Sequence, residues 1–281
     1  MQGEEEKTMA QTINEKRKPS GNGLKYDSAV LIGCELFLLV TIIWMLASPL
    51  SGGEKFGNIM LCLMTSVLLV TPWVFEKTSK MNLPALLKVL FIFLIIGGPV
   101  LGKIYKFYYR FSLWDKLLHT SSGFLFAVIG AMIPQLLDKE NASHSFALEL
   151  ACAMCFTLAI AAVWEFFEFS MDKFFGMDMQ QDTLLTGINS YLLGSGTGVL
   201  GSIENIESVT INGIDTGMAG YIDIGLIDTM GDMLVCTVGG ILYCVLRVLY
   251  KKGKKVAAWL SKLLPSMMTS QQEGLASSET K

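Results

Sequence analysis

Charge is scarce in this chain. Only 17% of its 281 residues are Asp, Glu, Lys or Arg, against 52% hydrophobic residues and a mean hydropathy of +0.48. Soluble domains carry about 25% charged residues, so an ordinary soluble enzyme, a disordered chain and a disulfide scaffold are excluded. The composition is that of an integral membrane protein. A basic excess is missing too: 22 Lys and Arg face 25 Asp and Glu, which leaves no electrostatic basis for a nucleic-acid partner. Two histidines are too few for a membrane desaturase. Ser195, in GSGTG, has no histidine on a neighbouring apolar run, which argues against a rhomboid-like dyad. The DTMGD segment lacks the upstream DGxxAR that CDP-alcohol transfer needs. The six cysteines all fall inside apolar runs, and the CxxC of Cys152 and Cys155 reads as two packing residues rather than a redox pair.

What the chain does have is six long apolar runs, at residues 28–48, 57–75, 84–102, 116–137, 146–169 and 228–250. Each is about 18 to 24 residues, enough at 1.5 Å per residue to cross a hydrocarbon core of about 30 Å. Only helices can do so here, because an open strand in lipid leaves its amides unpaired. The expected fold is an all-α polytopic bundle of six transmembrane helices. Residues 1–27 read as a disordered polar tail, residues 173–227 as a large loop, and residues 269–281 as a second disordered tail.

Basic residues set the orientation. Lys16, Arg17, Lys18 and Lys25 flank the first run, and Lys251, Lys252, Lys254 and Lys255 flank the last. An even number of crossings puts both flanks on one side, expected to be the cytoplasmic face of the plasma membrane. Lys103, Lys106, Arg110 and Lys116 then face outward, against the rule. Within 251–268, Val256, Trp259, Leu260, Leu263 and Leu264 form one apolar stripe with lysines opposite. Such a helix would lie in the headgroup layer and meet anionic lipid. In the large loop, ESVTINGIDTG carries a hairpin signal. Residues 184–200, apolar but broken by glycines, read as a short re-entrant or interfacial segment. Lys88 and Arg247 read as side chains snorkelling to the surface, and Glu35 and Glu149 as interfacial or lysine-paired acids.

The informative polar residues fall in three groups. WDKLLHTSSGF places Asp115 and His119 four apart; WEFFEFSMD places Glu165, Glu168 and Asp172 three and seven apart; DTMGDM places Asp228 and Asp232 four apart. Those spacings keep each group on one helix face. Consecutive crossings alternate in direction, so the three groups stand at the same side of the membrane whichever way the chain inserts. An intramembrane carboxylate costs about 2.5 to 3.5 kcal/mol, and a bound cation, a shared proton, a nearby base or water must offset it. Asp115, His119, Glu165, Glu168, Asp228 and Asp232 are the candidate ligands of a divalent metal. Hard oxygen donors with one imidazole suit Mn, Fe, Zn or Mg. Asp172, Arg110, Thr120 and Asp223 are candidate supporting residues. Thr120, Ser121, Ser122, Gly123 and Gly231 are small enough to let helices approach. Structural pairing and interfacial solvation would explain the same acids: Asp115 and Asp228 would sit at helix N-termini, which favour negative charge.

At these residues the chain resembles the YjdF family of uncharacterised bacterial inner-membrane proteins. The matching blocks are Trp114-Asp115 with His119 and Gly123, the pair Glu165 and Glu168 in WEFFEF, and Asp228-Thr229 with Asp232-Met233, in the same order. The resemblance covers about residues 105–246. The family's acidic residue before the DT motif has no direct counterpart, and Asp223 is the nearest substitute. The DKxxH block is also similar to VanZ-like membrane proteins. The resemblance implies a multi-pass membrane protein with this polar set and supplies no reaction.

Three functions fit. The first is a metal-dependent, membrane-embedded hydrolase or transferase acting on a lipid or envelope substrate, with one acid as general base. The second is a cation or proton transporter using the same acids. The third is a non-catalytic interaction protein that reads a partner through its loop. The chain has no convincing internal repeat, which favours the first over the second.

Overall fold

The computed structural model describes residues 21–79, 83–137 and 144–253. Among them, six helical stretches are long and apolar enough to cross a membrane: Ala29–Ala47, Gly52–Thr78, Ala85–Ile104, Trp114–Leu137, Phe146–Phe175 and Leu226–Lys251. The chain is an all-α polytopic membrane protein with a few short strands. The first helix begins at Gly21, so residues 21–27, read above as the end of a disordered tail, are helical. The amphipathic helix expected over 251–268 lies outside the described residues beyond Gly253. The described residues divide into two compact units, at Leu118/His119 and at Val248/Leu249.

The first unit contains α1 (Gly21–Ala47), α2 (Gly52–Leu69), α3 (Thr71–Ser79), α4 (Ala85–Ile96) and the short α5 (Phe107–Arg110). Ser51 caps α2, its hydroxyl accepting from the Glu54 amide. On α1, Leu38, Thr41 and Met45 are buried at helical spacing, while Leu36, Leu39, Val40 and Ile43 are exposed and just as apolar. A helix apolar on both faces, one of them exposed, is one whose outer face meets lipid. The inner face joins a core of Leu38, Met45, Cys62, Leu69, Ile92, Val100 and Ile104.

Beyond α4 the helix widens into a π-helix over Gly97–Ile104, with Pro99 inside it. The Trp114 indole N–H donates to the Gly97 carbonyl at 3.1 Å. Tyr105 follows, its ring stacked on Phe37 and Trp44 and its hydroxyl 3.0 Å from that of Thr41. Lys88 does not snorkel. It is buried, 2.9 Å from a Glu76 oxygen and 5.6 Å from the centre of the Trp73 ring. Glu35 accepts a hydrogen bond from Ser66 at 2.7 Å rather than pairing with lysine.

The second unit holds most of α6 (Trp114–Leu137), all of α7 (Phe146–Phe175) and nearly all of α8 (Leu226–Lys251). Its helices meet through glycine. A Cβ on Gly123 of α6 would collide with the Cys236 carbonyl of α8, and one on Gly239 of α8 with the Thr120 carbonyl of α6. Gly130 also packs closely on α7, at Cys152 and Phe156, and Gly240 meets Thr157. Thr157 donates to Ala153 and Gly123 carbonyls. Small residues let membrane helices approach until backbones touch, where dispersion and polar contacts replace the hydrophobic effect. Arg247 is not at the surface: it is buried against Glu149.

The loop between α7 and α8 forms three two-stranded antiparallel ladders. β1 (Leu184–Leu185) pairs with β6 (Tyr221–Ile222), β2 (Ile188–Ser190) with β3 (Gly201–Ile203), and β4 (Thr210–Ile211) with β5 (Ile214–Asp215). The last pair is the expected hairpin. Its central residues Asn212 and Gly213 have φ of 53° and 81°, the left-handed pair that a type I′ turn requires. Residues 184–200 form no helix. They divide into β1, β2 and a 3-10 turn over Tyr191–Leu193, because glycines interrupt the apolar run too often for helical propagation.

Candidate metal centre

The reciprocal glycine contacts place His119 beside Asp232. Gly123 is one turn beyond His119 on α6, and Cys236 one turn beyond Asp232 on α8. Locking Gly123 against Cys236 therefore brings the preceding turns of both helices into register. His119 Nε2 lies 3.4 Å from an Asp232 carboxylate oxygen, and the Asp232 side chain is only 2% exposed. Asp115 stands one turn before His119 on the same helix, with Lys116 at 3.3 Å from its carboxylate. One ligand atom from each of Asp115, His119 and Asp232 lies within 4.8 Å of the other two. Metal–ligand bonds of 2.0 to 2.2 Å place neighbouring ligand atoms roughly 3 to 4 Å apart. Small rotamer changes would bring these three into that range.

Two more of the expected acids are buried in the unit that holds His119 and Asp232. Glu165 and Glu168 lie on the inner face of α7, and Glu168 accepts from the Trp164 indole at 2.8 Å. The Cys236 sulfur lies 3.9 Å from the Ser122 hydroxyl.

The remaining candidates are used differently. Asp172 accepts from the backbone amides of Met179 and Gln180, at 2.6 and 2.8 Å, and so fastens the chain that leaves α7. Asp228 accepts from the Gln181 amide at 3.2 Å. Asp223 gathers the amides of Thr183, Gly225 and Ile227 where the chain enters α8. Partial desolvation works against it, but those three amides hold its carboxyl below the usual carboxylate range. Arg110 is exposed at the end of α5, and the Thr120 carbonyl forms the contact with Gly239. The expectation that all these groups converge is therefore met by part of the set. Asp172, Asp223 and Asp228 have backbone amides as partners, because the loop must be anchored to the helix ends it joins.

Two features escaped the sequence reading. Arg247 binds Glu149 through two guanidinium nitrogens, although both are lone charges in apolar runs near the same end of α7 and α8 and their pairing was open to inference. The sequence reading did not single out Asp178. Burial, then the negative charges of Asp182 and Asp172, push its carboxyl above the usual range.

Three close N/O donors on two helices, inside a membrane bundle, define a polytopic membrane protein with a candidate metal centre. Comparison with known proteins gives the family. The chain matches the model for predicted membrane proteins designated DUF2238 over residues 31–253, and it belongs to that family. It is also similar to a Thermotoga maritima protein described only as uncharacterized, 30% identical over 105 residues, or 37% of this chain and 53% of that protein. The match thus spans about half of that relative's length. No solved structure matches the chain.

Proposed function

We propose that this protein is a metal-dependent hydrolase or transferase embedded in the plasma membrane, acting on a lipid or envelope substrate at the external face. The observation that carries the reading is the cluster of Asp115, His119 and Asp232. His119 would supply the nitrogen ligand, and Asp232 and Asp115 the oxygen ligands. Mn, Fe, Zn or Mg fits that donor set, and three protein ligands leave positions for water and substrate. A divalent cation there supplies Lewis acidity toward a phosphoryl or carbonyl oxygen. Glu165, buried on α7, is our candidate for the acid that takes a proton as general base. The similarity to the YjdF proteins, carried by the same three blocks, supports treating these residues as one set. An external site follows from the lysines at both termini, which favour a cytoplasmic position.

Transport of cations or protons through the same acids is less well supported. Directly beyond the cluster the α6 and α8 backbones approach closely at Gly123 and Gly239, which speaks against a path between these two helices.

The test is metal content. Protein purified in mild detergent should carry close to one equivalent of a divalent metal by elemental analysis, and the double variant His119→Ala, Asp232→Ala should carry almost none. Equal, near-zero content in both removes the metal reading. Ion or proton flux in vesicles that is lost in the same variant would then identify a transporter.

A further inference from the structure

We propose that the finger formed by β2, β3 and the turn between them is a membrane-contact element, with its tip seated in the headgroup layer on the loop's side of the bilayer. The tip carries Tyr191, Leu192, Leu193, Val199 and Leu200, all exposed, with Leu192 at 96%. Residues 183–203 contain no Asp, Glu, Lys or Arg, although Asp182 and Glu204 bound the stretch directly. Large exposed apolar clusters on water-facing loops mark a partner surface.

The finger is built rather than slack. Ile188, Asn189 and Ser190 pair with Ile203, Ser202 and Gly201, and the Ser202 hydroxyl donates to Asn189 at 2.6 Å. Beyond the ladder the chain closes so tightly that a Cβ on Gly194 would strike the Val199 carbonyl, and one on Gly201 the Leu193 carbonyl. The apolar side chains are therefore displayed by a fixed backbone.

Lipid is the occupant that the surroundings favour. The loop leaves α7 and enters α8 at one end of the bundle, and its base is held there by Asp172, Asp223 and Asp228. The helix ends it joins expose Phe174, Phe175 and Leu226, at the ends of two helices long and apolar enough to cross a membrane. The finger belongs to the loop rooted at those apolar helix ends. An apolar tip with a tyrosine and no charge has the composition that settles at an interface. This inference rests on the membrane fold and stands apart from the metal reading.

The experiment uses full-length protein in phosphatidylcholine–phosphatidylglycerol vesicles. Leu192→Cys and, separately, Leu200→Cys are labelled with an environment-sensitive fluorophore, and the signal of identically treated wild type is subtracted. Asn212→Cys, on the β4–β5 hairpin, is the water-exposed reference. Headgroup-attached nitroxide lipids should quench positions 192 and 200 at least twofold more than aqueous iodide does, with the reverse at 212. Iodide-dominated quenching at 192 and 200 would place the tip in water and overturn the proposal. Quenching by neither would mean that protein covers the tip, and would overturn it equally.

Discussion

Arg247 of α8 grips Glu149 of α7 with two guanidinium nitrogens, at 2.5 and 3.1 Å. Arg247 lies fifteen residues after Asp232, about 22 Å along a helix. One buried polar contact therefore stands toward each end of the same helical unit, with glycine contacts between them.

Breaking the Arg247–Glu149 pair from one side should be costly. Both side chains are largely buried, so Arg247→Met or Glu149→Gln alone leaves an uncompensated group, at about 3 to 5 kcal/mol. The double variant Arg247→Met, Glu149→Leu should recover much of that loss. Thermal unfolding of the detergent-solubilised protein, read by size-exclusion chromatography after heating, gives the comparison. Single and double variants with equal losses would contradict it.

The glycine contacts should tolerate no side chain. Gly123→Val and Gly239→Val both drive a side chain into a backbone carbonyl of the facing helix. Overpacking costs about 1 to 3 kcal/mol in ordinary cores, and backbone that cannot move aside puts these at the upper end. Gly33→Val meets nothing within 4 Å and should be close to neutral. On the proposed metal reading, Gly123→Val and Gly239→Val should also lower the metal content of the purified protein, although neither glycine is a ligand.

Two loop carboxylates should respond oppositely to acid. Asp223 has a folded pKa below its unfolded value, so its contribution is complete above the unfolded range and is lost as pH falls toward the folded one. Asp178 has a folded pKa above its unfolded value, so its repulsion is relieved as pH falls through the folded range. At pH 7 Asp223→Asn should increase, and Asp178→Asn decrease, amide hydrogen exchange around Thr183 and Gly225. The same sign for both would reject the assignment.

The β4–β5 turn should be separable from the membrane bundle. Gly213 has φ of 81°, which a β-branched residue adopts at a cost of about 1 to 2 kcal/mol or more. Gly213→Val should speed limited proteolysis within residues 207–217 and leave the unfolding temperature of the helices unchanged.

Much of this architecture was legible in the residues. Apolar run length alone specified six crossings, because lipid admits only helices of sufficient length. The Asn212-Gly213 pair specified its hairpin through the φ values it accepts. Alternating crossings likewise put the three polar groups at one end. Whether each acid faced a helix or the loop was not legible. Asp228 and Asp232 share a face of α8, yet one binds the Gln181 amide and the other lies against His119. The buried pairing of Lys88 with Glu76, and of Arg247 with Glu149, was hidden for the same reason.

The order of crossings, and the end at which the acids gather, were written in the chain itself, because helical period and bilayer thickness are local constraints. Which acids meet was decided only by tertiary structure. Rotation and sliding of one helix against another are set by contacts between distant residues, here Gly123 on Cys236 and Gly239 on Thr120. Those contacts select Asp232 to face His119, while Asp172, Asp223 and Asp228 hold the loop in place.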